Sequence, residues 1–204
     1  MGDPQRAKVL LEYSQKLKDQ HADGDTEVLQ DIWHGSLIKD LKEKKGLFKE
    51  DTDLALGIAG DGVAIFSKKS KEYKLFPLVI TNFNIPPSSQ VKRNNMILVG
   101  KVPGPREPDD LDSFLHPLIE ELKKLEDRIL TWNTHLKKEI ILWAHLIVVT
   151  ADMKAREKLM RHTGNGSSRY CTYCMVHGIW NGKVYAPLSI SKDTPISAKQ
   201  CGKW

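Results

Sequence analysis

The sequence has no long hydrophobic run and few cysteines. Its longest apolar stretch, Ile140 to Val149, contains His145 and is far too short to span a bilayer. Residues 1 to 8 are polar and charged with no apolar segment behind them, which argues against a secretory signal. The three cysteines are an odd number, which argues against a disulfide framework. We therefore expect an intracellular protein that is neither secreted nor embedded in a membrane.

The composition is that of a globular protein with a mild positive charge. Its 204 residues are 40% hydrophobic and 28% charged, enough to bury a core in one main domain with appendages. The formal net charge is +5, which tolerates a polyanionic partner without requiring one. Basic stretches at Lys42 to Lys45, Lys68 to Lys74 and Lys92-Arg93 can follow a nucleic-acid backbone, although such runs are usually solvated faces.

The hydrophobic pattern divides the chain into a helical start and a β-rich centre. Residues 1–50 repeat apolar positions at helical spacing and predict a helical N-terminal extension. The next apolar runs are bounded by Gly, Pro, Asn or Lys and predict three strands, at Leu54 to Phe66, Tyr73 to Phe83 and Asn95 to Val102. Beyond them, Leu111 to Ile129 traces one face of an amphipathic helix.

A fourth strand and a last helix follow. Ile140 to Thr150 is typical of a buried strand, although its length leaves a helix open. Asp152 is then well placed to cap a helix from Met153 to His162. His116 and His145 lie on apolar faces, which predicts two core histidines whose ring nitrogens have hydrogen-bond partners.

Two isolated aspartates are the most informative residues. Asp61 lies in Ala59-Gly60-Asp61-Gly62 and Asp152 follows Val148-Val149-Thr150-Ala151, so each ends or interrupts a β-rich run. Carboxylates on separate strands can meet at one sheet edge and hold a divalent metal ion, the minimum for cleaving and rejoining phosphodiesters. Simpler roles are also open, because Gly-Asp-Gly is a common turn composition and Asp is a common N-cap.

An ordered set of short motifs resembles the CACTA (En/Spm-type) DNA transposases over roughly residues 30 to 187. The motifs are Asp31-Ile32-Trp33-His34-Gly35, Leu56-Gly57-Ile58-Ala59-Gly60-Asp61-Gly62, Phe76-Pro77-Leu78-Val79-Ile80, Asn84-Ile85-Pro86-Pro87, Pro103-Gly104-Pro105 with Leu111-Asp112, Pro117-Leu118-Ile119-Glu120-Glu121-Leu122, Thr150-Ala151-Asp152 and Cys171-x-x-Cys174.

The resemblance implies an α/β fold of the ribonuclease H-like type, a mixed sheet flanked by helices in which the first and fourth strands are neighbours. It implies a core over residues 51–163 and a Cys-x-x-Cys insertion with a tail over residues 164–204. It further implies DDE-type chemistry with two Mg2+ or Mn2+ ions bound by carboxylates, of which Asp61 is the first acid and Asp152 the second. The implied partner is DNA with transposon terminal inverted repeats, in the nucleus, and self-association stays open.

The chain departs from the family in two places. After the fourth strand the family has Asn-Asp, an aromatic or apolar residue, Pro and Ala, whereas this chain has Ala151-Asp152-Met153-Lys154-Ala155. The third acid, a glutamate on a later helix, has no counterpart, because no glutamate follows Glu157 and the only carboxylate after Cys174 is Asp193. We therefore expect a chain truncated before its catalytic set is complete, with weak or absent metal binding and no turnover alone.

Cys171-Thr172-Tyr173-Cys174 supplies half of a tetrahedral zinc site. Structural zinc held by Cys171, Cys174 and His177 is our hypothesis, with Cys201 and His162 as other available ligands. Two buried thiols or a redox pair are the alternatives. The redox alternative needs a thioredoxin-like strand before the motif, where Gly-Asn-Gly-Ser-Ser stands instead.

Two functions of other classes stay open. One is a non-catalytic DNA- or protein-binding module derived from a transposon, which the absent third acid favours. The other is a zinc-stabilised structural domain with no nucleic-acid role. Stoichiometric zinc together with DNA affinity that does not depend on salt would favour the structural domain.

Overall fold

The computed structural model describes residues 2–22, 31–64, 74–104, 111–162, 167, 179–180 and 183–185. The helices are α1 (Pro4–Ala22), α2 (Ser36–Lys45), α3 (Pro87–Gln90), α4 (Asp112–Glu126) and α5 (Met153–Leu159), with a 3-10 turn at Ile32–His34. The strands are β1 (Asp53–Gly60), β2 (Val63–Ala64), β3 (Lys74–Asn82), β4 (Ile97–Pro103), β5 (Ile129–Asn133), β6 (Lys138–Ala151), β7 (Ile179–Trp180) and β8 (Val184–Tyr185). None of the described helices is long and apolar enough to cross a membrane.

The main sheet is mixed and flanked by helices. β1 is parallel to β6 and antiparallel to β3, while β4 pairs with β3 and β5 pairs with β6, both antiparallel. The predicted fourth strand, now β6, therefore lies directly beside β1. This arrangement is compatible with the predicted ribonuclease H-like α/β fold, and it confirms the fold class. β7 and β8 form a separate small pair.

β1 and β2 are two parts of one strand. Gly60 pairs with Leu78 and Val63 pairs with Leu75, so the register against β3 is the same on both sides of the break. Counted this way the sheet has five strands. The interruption falls at Asp61, which confirms the prediction that the first strand carries this residue.

The predicted helix from Leu111 to Ile129 was wrong at its C-terminal end. The helix stops at Glu126, Arg128 adopts a left-handed backbone conformation with a φ of 62°, and Ile129 begins β5. An apolar residue at helical spacing suits a strand equally well, so the pattern alone did not separate the two elements. β5 is an edge strand that forms a hairpin with the start of β6, and the buried Asn133 accepts two backbone hydrogen bonds in its turn.

Hydrophobic clusters cover both faces of the sheet. On one face, Leu56 and Ile58 of β1 pack with Leu115 and other apolar residues of α4. On the other face, Ala55 packs with residues of the N-terminal helical segment, among them Trp33. This alternation follows from the two-residue period of a strand. The N-terminal helices predicted for residues 1–50 are therefore in contact with the strand that leads to Asp61.

His145 is largely buried, with 11% of its side chain exposed, but His116 is exposed on α4, so the prediction of a second core histidine was wrong. The His145 ring lies edge-on to Trp143 and Phe48, with centroids 4.5 and 5.7 Å away. Its Nε2 atom is buried and has no hydrogen-bond partner among the described residues, so the prediction of partners for both ring nitrogens was wrong for His145. Burial lowers the pKa of His145 below its usual value, an effect that the nearby carboxylate of Glu126 opposes.

We expect acidification to destabilise the fold through His145. Since its folded pKa is lowered, between that pKa and the ordinary value of about 6.5 the unfolded chain binds a proton that the folded chain does not. The free energy of unfolding therefore rises with pH across this window. Urea unfolding at pH values on both sides of about 6.5 measures the effect. His145→Gln should flatten the dependence, and an equal dependence in both chains would assign it to other groups.

Candidate active site

The two predicted acids lie side by side at one edge of the sheet. In the parallel pairing of β1 with β6, Gly60 is opposite Ala151. Asp61 and Asp152 are the next residues, so they stand at equivalent positions beyond the ends of neighbouring strands. Adjacent strands are about 4.8 Å apart, which brings two carboxylates within reach of one ion. Both aspartates are exposed to solvent at this edge.

A β-bulge in β6 sets which residue stands beside Asp61. Ile147 is an extra residue, because the residues before and after it pair with successive residues of β1. With regular pairing from the start of the strand, Ala151 rather than Asp152 would be level with Asp61. Ile147 packs against the hydrophobic cluster of the N-terminal helical segment. Bulges bend and twist a strand and commonly re-aim side chains next to functional sites.

Each aspartate is oriented by a local backbone hydrogen bond. Asp61 Oδ1 accepts a hydrogen bond of 2.7 Å from the N–H of Gly62. Asp152 Oδ1 accepts one of 2.7 Å from the N–H of Ala155, which confirms that Asp152 is the N-cap of α5. The second oxygen of each carboxylate does not take part in this hydrogen bond. The turn and cap roles are therefore compatible with a metal-binding role.

The acids line a cleft of about 510 Å³. The end of β1 forms its floor, and the remaining lining residues come from β3, from the end of β6 and from the segment between β3 and β4; they are Pro77, Val79, Thr81, Phe83, Gln90, Val91, Met96, Thr150 and Ala151. The carboxylates thus sit at the end of an extended surface and not in a closed pocket. Such a surface suits a long substrate that passes the acids.

Two glycines before Asp61 are required by close packing. A Cβ atom on Gly60 would lie 2.7 Å from the Phe76 ring, and one on Gly57 would lie 2.7 Å from the Phe83 ring. Real Cβ atoms do not approach carbon this closely, so any other residue would push the rings away from β1. The Gly-Ile-Ala-Gly sequence therefore lets aromatic side chains cover the strand that presents Asp61.

The acid pair has the donor chemistry for a hard divalent cation. Mg2+ takes oxygen ligands, and it is commonly held by one or two protein carboxylates together with water and substrate phosphates. In the part of the chain that the structure describes, no group of three or more His, Cys, Asp or Glu residues could hold a metal ion. Asp61 and Asp152 are therefore a fitting but minimal set of ligands for one ion.

The predicted zinc ligands Cys171, Cys174 and His177 lie outside the described residues, as do Cys201 and Asp193. Zinc binding by these residues stays a prediction. His162, the remaining available ligand, is described and is partly buried after α5.

Sequence reasoning missed one wall of the cleft. Gln90, Val91 and Met96 line it together with the acids, yet they belong to a segment whose sequence indicates only a strand exit and a basic run. The antiparallel pairing of β3 with β1 and β4 places this segment at the cleft. Such a contact across the sheet has no signature in the local sequence.

Most of the chain matches a known protein family. Residues 27–183, most of the chain and the part that contains both acids, match a family model described as "Transposase family tnp2". No curated protein matches the chain. The match supports the resemblance to transposases at the level of the family. The chain belongs to the transposase family tnp2.

Proposed function

We propose that this chain is part of a cut-and-paste DNA transposase of the CACTA type, in which Asp61 and Asp152 are two of three catalytic acids. The observation that carries the proposal is the pairing of Gly60 with Ala151, which puts both carboxylates at the end of one cleft. Membership of the transposase family supports DNA as the proposed substrate class. The substrate is then DNA that bears transposon terminal inverted repeats, and the site of action is the nucleus.

The proposed chemistry is metal-dependent cleavage and transfer of a DNA strand. A Mg2+ or Mn2+ ion would supply activation of water or of a DNA 3′-hydroxyl and stabilisation of the leaving oxygen. Asp61 and Asp152 would hold the ion through the carboxylate oxygens that do not accept these backbone hydrogen bonds. The strands fix the two carboxylates in position, so little ordering is needed when the ion and DNA bind.

The third acid is expected to come from a residue other than those described. Two carboxylates supply too few ligands for a pair of ions, so we expect weak metal binding and no turnover by this chain alone. A longer reading frame that continues to a helix with a glutamate would support a fragment of an active transposase. An immediate stop among mutated remnants would instead indicate a relic.

Replacing Asp61 by asparagine is expected to lower Mn2+ affinity by at least about tenfold, or about 1.4 kcal/mol, because the charge is lost while the shape is kept. The asparagine side chain would retain an oxygen for the Gly62 N–H, so the turn should survive. Mn2+ titration followed by amide NMR signals measures binding. In the wild type, amide signals at the C-terminal ends of β1 and β6 should broaden at lower Mn2+ concentrations than signals at the N-terminal end of β6.

A nicking assay with Mg2+ or Mn2+ completes this test. If the chain, alone or together with a protein that supplies a third acid, cuts DNA in a metal-dependent way, Asp61→Asn should abolish the activity. Cleavage that survives the substitution would remove Asp61 from the mechanism. Equal Mn2+ broadening in both chains would remove the acid pair as the metal site.

A second candidate is a non-catalytic DNA-binding module derived from a transposon. The specific observation in its favour is that no third metal ligand joins the acid pair among the described residues. This candidate predicts salt-dependent DNA binding that Mn2+ does not alter and that Asp61→Asn does not weaken. Structural zinc at Cys171, Cys174 and His177 is compatible with either candidate and is tested by zinc content.

A further inference from the structure

The segment of residues 86–96, which we call the cleft wall, contributes to the cleft of the acid pair and carries a highly exposed valine, Val91. It connects β3 to β4, and its residues Gln90, Val91 and Met96 line the same cleft as Asp61 and Asp152. Val91 is 72% exposed, the largest exposed fraction among the large hydrophobic residues of the described chain. Val91 therefore gives the cleft that holds the two acids an exposed apolar side chain.

The cleft wall is held in a defined shape. The side chain of Gln90 donates a hydrogen bond of 2.9 Å to the carbonyl of Ile85, and the Asn95 amide donates one of 2.9 Å to the carbonyl of Ser89. The guanidinium of Arg6 in α1 donates a hydrogen bond of 2.7 Å to the carbonyl of Asn94. Val91 therefore belongs to a segment that these three hydrogen bonds hold in place.

Two cations follow Val91 directly. Lys92 and Arg93 are both exposed, and neither forms an ion pair with any residue that the structure describes. Lysines on the helix surfaces differ, since Lys123 and Lys124 each pair with a glutamate three residues earlier. The cleft wall therefore carries two uncompensated positive charges directly after Val91, which itself lines the cleft of the two carboxylates.

We propose that the cleft wall positions the DNA strand at the acid pair, an inference that rests on the proposed function for its choice of DNA as ligand. Lys92 and Arg93 bind phosphates that flank the one facing Asp61 and Asp152, and Val91 packs against a sugar or base. The acids alone would repel a polyanion, so adjacent cations are needed to bring it close. Apolar side chains at such positions commonly pack against or between bases.

DNA binding of a charge variant is the first test. In EDTA, a fluorescein-labelled DNA duplex of mixed sequence is titrated with wild type and with Lys92→Gln/Arg93→Gln at several salt concentrations. Each lost phosphate contact should reduce the slope of log affinity against log salt by about 0.9, so the double variant should lose roughly 1 to 2 units and bind about tenfold more weakly or worse at moderate salt. Circular dichroism checks that the variant is folded.

A matched control replaces two lysines near the start of β6, at the opposite end of this strand from the acid pair. Lys137 and Lys138 are exposed in the β5–β6 hairpin. Lys138 begins the 14-residue strand β6 and Asp152 follows its last residue, so the two are roughly 45 Å apart along the strand. Lys137→Gln/Lys138→Gln changes the net charge equally and should leave affinity and salt slope unchanged. Equal losses in the two double variants would overturn the proposal, because the effect would then be one of total charge.

Site-specific crosslinking is the second test. A photoreactive benzophenone amino acid replaces Val91 in one variant and Leu130 in another; Leu130 is 66% exposed on the edge strand β5. Crosslinks to the duplex are expected from position 91 and not from position 130. Crosslinks from position 130 alone, or no DNA binding by the wild type at low salt, would overturn the proposal. Crosslinking of position 91 to an acidic protein in place of DNA would also overturn it.

The outcome is separable from that of the catalytic proposal. These measurements are made without divalent metal, whereas the role of Asp61 is tested with Mn2+. Weaker DNA binding by the Lys92→Gln/Arg93→Gln variant supports the role of the cleft wall. If Asp61→Asn at the same time leaves Mn2+ binding unchanged, the metal site is refuted. Metal-dependent cleavage that the double variant leaves untouched refutes the cleft wall alone.

Discussion

Replacing Asp152 by asparagine is expected to abolish Mn2+ binding at the acid pair while leaving the free energy of unfolding nearly unchanged. Asparagine caps a helix about as well as aspartate, so the hydrogen bond from the N–H of Ala155 should survive. Only the charge is lost, together with a few tenths of a kcal/mol from the helix dipole. Asp152→Ala removes both roles, so it should abolish Mn2+ binding and also cost about 1 kcal/mol of stability.

The pair of substitutions separates the structural role of Asp152 from its proposed catalytic role. Mn2+ titration by NMR and urea unfolding are measured on both variants. Loss of Mn2+ binding in both, with a stability loss in the alanine variant alone, is the expected pattern. Unchanged Mn2+ binding in Asp152→Asn would leave the residue as a helix cap and nothing more.

Replacing Asn84 by alanine is expected to lower the free energy of unfolding by about 3 to 5 kcal/mol, a large share of the 5 to 15 kcal/mol typical of a domain. Asn84 is 2% exposed. Its Oδ1 accepts a hydrogen bond of 2.8 Å from the N–H of Ala55, and its Nδ2 donates one of 2.8 Å to the carbonyl of Asp53. Alanine would leave both backbone groups of β1 buried without these partners, at about 1 to 3 kcal/mol each.

Two further variants sharpen this test by urea unfolding. Asn84→Asp keeps the shape but sets an oxygen against the carbonyl of Asp53, so it should be at least as destabilising as alanine. Asn94→Ala removes an exposed asparagine ten residues later and should change stability by less than about 0.5 kcal/mol. If Asn84→Asp is close to wild type, the hydrogen bond to Asp53 contributes little and packing holds this junction.

Asn84 also connects stability to the site. It joins the start of β1, the strand that leads to Asp61, to the residues that lead into the cleft wall. The N-terminal segment is attached at the same place, because Trp33 Nε1 donates a hydrogen bond of 2.8 Å to the carbonyl of Phe83. The motifs around Trp33 and Asn84 therefore support the strand that leads to Asp61.

The local hydrophobic pattern predicted helices and strands well where the sequence followed a single periodicity. The alternating run that became β1 and the cap at Asp152 both follow from neighbouring residues, and both are seen. β5 escaped prediction because Ile129 fits a helical stripe as well as a strand, and the choice was made by the left-handed turn at Arg128. His116 was placed in the core for a similar reason, since an apolar neighbourhood in sequence does not say which side of a helix faces the sheet.

The sequence by itself determined the two acids, their separate strands, the α/β class and the family to which the motifs point, because these depend on residue identity and local period. The tertiary structure decided what lies beside the acids. Register and the bulge at Ile147 bring Asp152 rather than Ala151 level with Asp61, and the β3–β4 connection brings Val91 to the same cleft. Pairing between strands far apart in the chain depends on packing across the whole sheet, which local sequence does not encode.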